Sequence, residues 1–203
     1  MTALLALSRG IDWLNERIGR SAIWLILAAI LISAVNAVVR KLLNTSSNAW
    51  LEVQWYLYGG AFMLAAAYTL KHNEHVRIDI FYASRSRRTQ HWIDLFGHVL
   101  FLMPFVAIMV WMLVPYALQA WRSGQVSTNA GGLVIWPARF ILVAGFVLLL
   151  IQGISEIIKK IAVIRGLIPD PAPFLSQHAA AVRDAAAAVE ADRDESGQKD
   201  AAR

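Results

Sequence analysis

Four long runs without Lys, Arg, Asp or Glu constrain the fold of this chain more than any other feature. They cover residues 21–39, 53–70, 95–121 and 140–155. A helix needs about 20 mainly apolar residues to cross the roughly 30 Å hydrocarbon core of a bilayer. Inside lipid the backbone must satisfy its own hydrogen bonds, which leaves helices or closed barrels. Because the runs are continuous rather than alternating, we predict an all-α integral membrane protein with four transmembrane helices.

The composition supports a membrane protein and argues against other classes. The 203 residues are 58% hydrophobic and only 16% charged, with a mean hydropathy of +0.50. This is too little charge for the surface of a soluble domain of that length. The absence of cysteine excludes disulfides and thiolate sites. The net charge of +5 comes from basic residues at the ends of the runs, which favours membrane orientation over nucleic-acid binding.

The charges that flank the runs predict the topology, because cytoplasmic loops carry an excess of Lys and Arg. The basic residues on one side are Arg9, Arg17, Arg20, Lys71, Arg77, Arg85, Arg87, Arg88, Lys159, Lys160 and Arg165. Those on the other side are Arg40, Lys41, Arg122 and Arg139. We therefore expect both termini in the cytoplasm, with the 40–49 and 122–136 loops facing outward.

The domain organisation follows from this topology. Spans are expected at about 21–39, 49–70, 92–121 and 137–158, within a membrane domain of residues 21–165. Residues 1–20 have apolar side chains at steps of three and four, which indicates an amphipathic helix. This segment either lies in the membrane interface or extends the first span into the cytoplasm. Residues 166–203, rich in Pro, Ala and charge, are expected to form a disordered tail.

Several residues near the span ends are candidates for structural or partner contacts. Glu52 is expected to contact a partner subunit, or to pair with Arg40 or Lys41, or to be an exposed first-turn acid. Asn36, Gln54, Gly59 and Gly60 are candidates for helix packing, because small residues and amides mediate contacts between membrane helices. Trp136-Pro137 is expected to open the fourth span. Glu156 and Lys160, four residues apart, are expected to pair near its end.

The spans offer little chemistry of their own. Transporters that carry out their own ion chemistry place ionisable groups inside the membrane, and these runs contain none of the four charged residue types. Of the histidines only His98 falls inside a run, so a bis-histidine haem site between helices is poorly supported. Pro104 and Pro115 predict kinks or a tilt in the third span, and the loop that follows is glycine-rich and expected to be irregular.

Three stretches resemble the small membrane subunit of the TRAP (tripartite ATP-independent periplasmic) transporters, the DctQ type. The join after the second span reads Glu-His-Val-Arg-Ile-Asp, with Glu74, His75, Arg77 and Asp79 as its polar residues. Glu52 opens the second span ahead of an aromatic and glycine-rich stretch, although the family often has two adjacent acids there. A loop with Asn129, Gly131 and Gly132 leads into Trp136-Pro137.

The resemblance implies a non-enzymatic scaffold in a bacterial inner membrane, without cofactor or metal. It implies a large membrane subunit that imports an organic acid by secondary transport, typically sodium-coupled, and a periplasmic binding protein that delivers the substrate. The small subunit would brace the large one, and its outward loops, including Asn129, Gly131 and Gly132, would contribute to docking. Two alternatives from other classes are a haem-binding membrane anchor of a redox enzyme and an independent small channel or exporter.

Overall fold

The computed structural model describes residues 2–44, 47–73, 82 and 85–170, and these residues form long helices. Helix α1 is Thr2–Leu43, α2 is Asn48–Lys71, α3 is Arg87–Ser123 and α4 is Trp136–Ile164. The described residues contain no β-strand beyond one isolated bridge in the loop between α3 and α4. The predicted tail from residue 171 onward lies outside them, as do the motif residues Glu74, His75, Arg77 and Asp79.

Within the described part of the chain, three helices are long and apolar enough to cross a membrane. They are α1, α3 and α4. Helix α2 has 24 residues and so is about 36 Å long, which would suffice for a crossing. Its first half, however, carries Glu52, Gln54, tryptophans, tyrosines and two glycines, which reduce its apolar character.

Helix α1 is continuous from Thr2 to Leu43, so the amphipathic segment and the first uncharged run belong to one helix. Its 42 residues correspond to a length of about 63 Å, roughly twice the hydrocarbon core. Ser8 and Asn15 in its first half are buried against α4. Of the two arrangements left open by the sequence, this continuity matches an extension of the first span.

The helices pack around α4, which contacts each of the other three, and α1 and α2 also pack against each other. Pairs of contacts along neighbouring helices show whether the two helices run parallel or antiparallel. Glu16 of α1 meets Lys71 of α2, and a Cβ on Gly60 of α2 would lie 3.7 Å from Leu25 of α1, so these helices are antiparallel. Glu52 of α2 meets Leu133 just before α4, and Gly145 of α4 lies against Met63, so α2 and α4 run in parallel.

Small residues make the closest helix contacts. The buried apolar residues of the bundle are mostly alanines: Ala22, Ala29, Ala61, Ala67, Ala117, Ala120 and Ala162. A Cβ placed on Gly145 would lie 2.7 Å from the Cβ of Met63, so only glycine fits there. Large side chains point outward instead, as with Trp111 at 78% exposure and Phe62 at 75%. This inside-out pattern is the one expected for helices packed within lipid.

Helix α3 contains a π-helical turn at His98–Leu102. Pro104 lies two residues after it. Proline lacks the backbone donor and clashes with the preceding turn, and a wider turn is one way for a helix to accommodate this. Pro115, in contrast, lies inside the unbroken α-helical segment Met103–Ser123. The irregularity expected at the prolines is therefore found before Pro104.

Candidate functional site

The loop between α3 and α4, residues 124–135, contains no helix or regular strand, as the sequence predicted, but hydrogen bonds hold its conformation. Val126 and Val134 form an antiparallel bridge, and the Ser127 amide donates to the Leu133 carbonyl at 2.8 Å. A tight turn closes the loop, with the Gly132 amide donating to the Asn129 carbonyl at 2.9 Å. Gly131 has φ +70°, a value that glycine adopts readily. The glycines therefore shape a compact turn.

Glu52 anchors this loop to α2. Its carboxylate accepts hydrogen bonds from the Ser127 hydroxyl, from the side-chain Nδ2 of Asn129 at 2.7 Å and from the Leu133 backbone N–H at 2.7 Å. Only 4% of the residue is exposed. Charge-assisted bonds to a carboxylate are among the stronger hydrogen bonds in proteins. Glu52 is therefore a buried loop anchor and not an exposed first-turn acid.

Two further residues on the same face of α2 hold the loop. Asn48 donates to the Ala130 carbonyl at 3.0 Å, and the Tyr56 hydroxyl donates to the Val134 carbonyl at 3.3 Å. Asn48, Glu52 and Tyr56 are spaced by four residues, which places them in one line on the helix. We refer to these three residues and the 124–135 loop as the loop clasp. The sequence drew attention to Glu52 and Asn129, but Ser127 and Asn48 were missed.

The remaining predicted contact residues occupy different environments. Gln54 and Gly60 are buried, and a Cβ on Gly60 would be 3.4 Å from Ile141 of α4. Asn36 is half-buried, whereas Arg40 is exposed, and the ion pairs found among the described residues do not join Arg40 to Glu52. Gly59 is exposed with open space around it. These residues therefore do not form one site.

Trp136, the first residue of α4, joins an aromatic cluster beside the loop clasp. Its ring lies 4.6 Å from that of Trp121 and 6.0 Å from that of Phe140, both in edge-to-face geometry. Such pairs are favourable beyond the area they bury. The cluster ties the end of α3 to the beginning of α4, on the two sides of the loop.

A dense polar network, which the sequence did not reveal, joins α1 to α4 at the opposite end of the bundle. Asn15 donates to the Gln152 Oε1 at 2.7 Å, and the Gln152 Nε2 donates to Asp12 and to Glu156, each at 2.9 Å. Lys159 lies 3.0 Å from Asp12 and 2.5 Å from Glu156. With Ser8 and Ser155, whose hydroxyls are 2.7 Å apart, these residues form the N-terminal polar cluster.

Two ion-pair groups flank this cluster. Glu16 of α1, outside the uncharged run, contacts Lys71 at 2.6 Å and His72 at 3.0 Å. Hydrogen bonds from Lys71 and then His72 lower the pKa of Glu16 to about 2. Lys160 pairs with Asp94 of α3 at 2.9 Å. The predicted Glu156–Lys160 pair is therefore wrong, because each side chain finds a different partner once the helices pack.

His98 lies in the π turn, where its Nδ1 donates to the Asp94 carbonyl at 2.6 Å. His91 lies 3.8 Å from Asp170. The described residues hold no group of three or more His, Cys, Asp or Glu arranged to bind a metal ion.

Comparison with known proteins adds a family to this geometry. Residues 29–163 match a family model described as "Tripartite ATP-independent periplasmic transporters, DctQ component". The match covers α2, α3 and nearly all of α4, including the loop clasp. A search of curated proteins and a search of solved structures each found no match.

Proposed function

The chain belongs to the DctQ family of TRAP transporter components, and from this premise we propose that it is the static scaffold of such a transporter. It would brace a large membrane subunit that carries out sodium-coupled import of an organic acid. It would also help to dock a periplasmic binding protein. The substrate class, the coupling ion and both partners are part of the proposal.

The observation that carries the scaffold role is the distribution of polar groups. The described acids and bases collect at the two ends of the bundle, in the loop clasp and the N-terminal polar cluster with its flanking pairs. Between the ends, alanines and glycines pack the helices. A bundle that is tied at both ends and closely packed between them supports bracing rather than transport of ions through its centre.

We propose that α2 is the fourth crossing. It runs parallel to α4, from Glu52 beside Leu133 to Lys71 near the opposite end, where α4 also ends. A helix in contact along the length of a membrane-spanning neighbour shares its depth. The excess of basic residues near the N-terminal polar cluster supports placing that end in the cytoplasm.

The docking role falls to the loop clasp. Asn129 and Gly131 are exposed at its tip, while Glu52 is buried beneath it. A surface that is fixed before binding loses less conformational entropy on binding. The anchored turn therefore supports a preformed contact for the binding protein.

Co-purification from the native membrane tests the proposal. We expect the tagged chain to bring down a large multi-span subunit in near-equal amount, while an unrelated tagged membrane protein does not. In proteoliposomes with a sodium gradient, uptake of organic acids should require this chain, the large subunit and the binding protein together. A chain that purifies alone, or with a haem protein, would refute the scaffold role.

A further inference from the structure

A cavity of about 300 Å³ opens between α2, α3 and α4, beside the loop clasp. Its lining is mainly apolar and includes Trp55, Gly59 and Met63 of α2, Tyr116 of α3, and Arg139 and Leu142 of α4. This volume lies at the lower end of the roughly 300–1,000 Å³ of ligand pockets. Tyr56 and Ile135, which belong to the loop clasp, also line the cavity, so the two features adjoin each other.

Arg139 brings an uncompensated positive charge to this cavity. One of its terminal nitrogens donates to the Tyr116 carbonyl at 3.1 Å, and its guanidinium carbon lies 3.6 Å above the Tyr116 ring. Its Nε is buried without a hydrogen-bond partner, and among the described residues no acid forms an ion pair with it. Buried donors without a partner are rare and call for an explanation. Arg139, which is half-buried, therefore has no counter-charge among the described residues.

The position of Arg139 along the bundle indicates which anion is at hand. It lies in the first turn of α4, level with the tryptophans and tyrosines at this end of the helices. Aromatic belts of this kind mark the headgroup level of a bilayer. From there the lining continues along Gly59, Met63 and Leu142, toward the middle of the membrane, with apolar surface only.

Gly59 keeps the cavity open. A Cβ at this position would meet no atom within 4 Å, whereas one on the neighbouring Gly60 would contact Ile141 at 3.4 Å. Gly60 is therefore explained by helix packing and Gly59 is not. A side chain at position 59 would begin in open space at the cavity wall, so we expect a large one to occupy part of the cavity.

We propose that this cavity binds one phospholipid, with its phosphate on Arg139 and the upper part of an acyl chain along Gly59 and Met63. Guanidinium groups bind phosphate through paired, charge-assisted hydrogen bonds. Basic pockets between membrane helices are known to take lipid headgroups. The lipid supplies both the anion that Arg139 lacks and the apolar group that the cavity fits.

Native mass spectrometry of the full chain tests this site. The chain is taken from nanodiscs of equal parts phosphatidylethanolamine and phosphatidylglycerol into detergent, and retained phospholipid is counted. We expect one retained lipid, with occupancy about tenfold lower in Arg139→Gln, the scale of one lost charge-assisted hydrogen bond. Gly59→Leu should lower it similarly while leaving the Arg139–Tyr116 contacts intact. Arg122→Gln and Gly10→Leu are the matched controls.

Each outcome decides the proposal. Loss of lipid in both cavity variants but in neither control supports it, and retention when inorganic phosphate is added shows that the whole lipid binds. Displacement by inorganic phosphate would show a simple anion site and overturn it. Equal retention in all five chains would also overturn it. If Arg139→Gln keeps its lipid but loses a co-purifying subunit, Arg139 pairs with an acid of that subunit, and the lipid site is wrong.

Discussion

Glu52 holds the exposed 124–135 loop in place although its own side chain is buried beneath that loop. Its two oxygens accept three hydrogen bonds from Ser127, Asn129 and Leu133. All three donors belong to the 124–135 loop, so one buried charge holds the loop at three points. The exposed Thr128 at the tip makes none of these bonds and can vary with little effect on the anchor. A residue that determines a docking surface is in this case hidden from any partner.

We predict that Glu52→Ala releases the loop from α2. The substitution leaves the Leu133 amide and the Asn129 side chain without their acceptor, and each such loss costs about 1–3 kcal/mol where the donor stays buried. Hydrogen–deuterium exchange at residues 127–133 should become faster in the variant, while exchange in α4 stays the same. Thr128→Ala, at an exposed position of the same loop, is the control. Unchanged exchange in the loop would show that Glu52 does not anchor it.

At the scale of the helices, some glycines are required for two helices to approach closely, and others are not. Gly145 lies against the backbone of α2, because a Cβ there would be 2.9 Å from the Met63 carbonyl oxygen. Gly59, also in a helix, has open space around it. The sequence proposed Gly59 and Gly60 as packing residues and did not identify Gly145. Spans that are apolar on all sides do not reveal from periodicity which face meets a neighbour.

This contrast predicts opposite effects for the same substitution. Gly145→Ala should destabilise the bundle by about 1–3 kcal/mol, because the added methyl group forces α2 and α4 apart. Gly59→Ala should be neutral or stabilising by up to about 1 kcal/mol, because alanine is the better helix former. Thermal unfolding of both variants in the same detergent measures the difference. Equal stability of the two would contradict the packing of Gly145 against Met63.

The N-terminal polar cluster attaches the first half of α1 to α4, and Gln152 is its centre, contacting Asn15, Asp12 and Glu156. We predict that Gln152→Ala loosens this half of the helix, since Asn15 and Asp12 would lose buried partners. Trypsin should then cut faster at the exposed Arg9 and Arg17. Gln119→Ala, on an exposed face of α3, should leave the cutting rate unchanged. If trypsin cuts the Gln152→Ala variant no faster than the Gln119→Ala variant, Gln152 does not hold the first half of α1 against α4.

The molecule as a whole shows what its sequence could and could not predict. The uncharged runs predicted a helical membrane protein, since that conclusion depends only on length and composition. The Glu-His-Val-Arg-Ile-Asp stretch of residues 74–79 and the motifs around Glu52 and Trp136 predicted the family, which the family model confirms. The contacts of Gln152 with α1 join residues more than 130 positions apart and depend on how each helix is rotated, which no local pattern encodes. For the same reason Lys160 pairs with Asp94 rather than with Glu156.

The two ends of the molecule are chemically different, and this difference makes its orientation testable. One end carries the loop clasp and few basic residues, and the other carries the N-terminal polar cluster and most of the lysines and arginines. Because the chain has no cysteine, single cysteines at the exposed positions Thr128 and Ser86 can be labelled without background. In intact cells an impermeant maleimide should label Thr128→Cys and not Ser86→Cys, and both should react after permeabilisation.

The reverse pattern would place the loop clasp in the cytoplasm, where no periplasmic protein could dock on it. Labelling of both from outside would place residue 86 on the same side as the loop clasp, and α3 would then not cross the membrane.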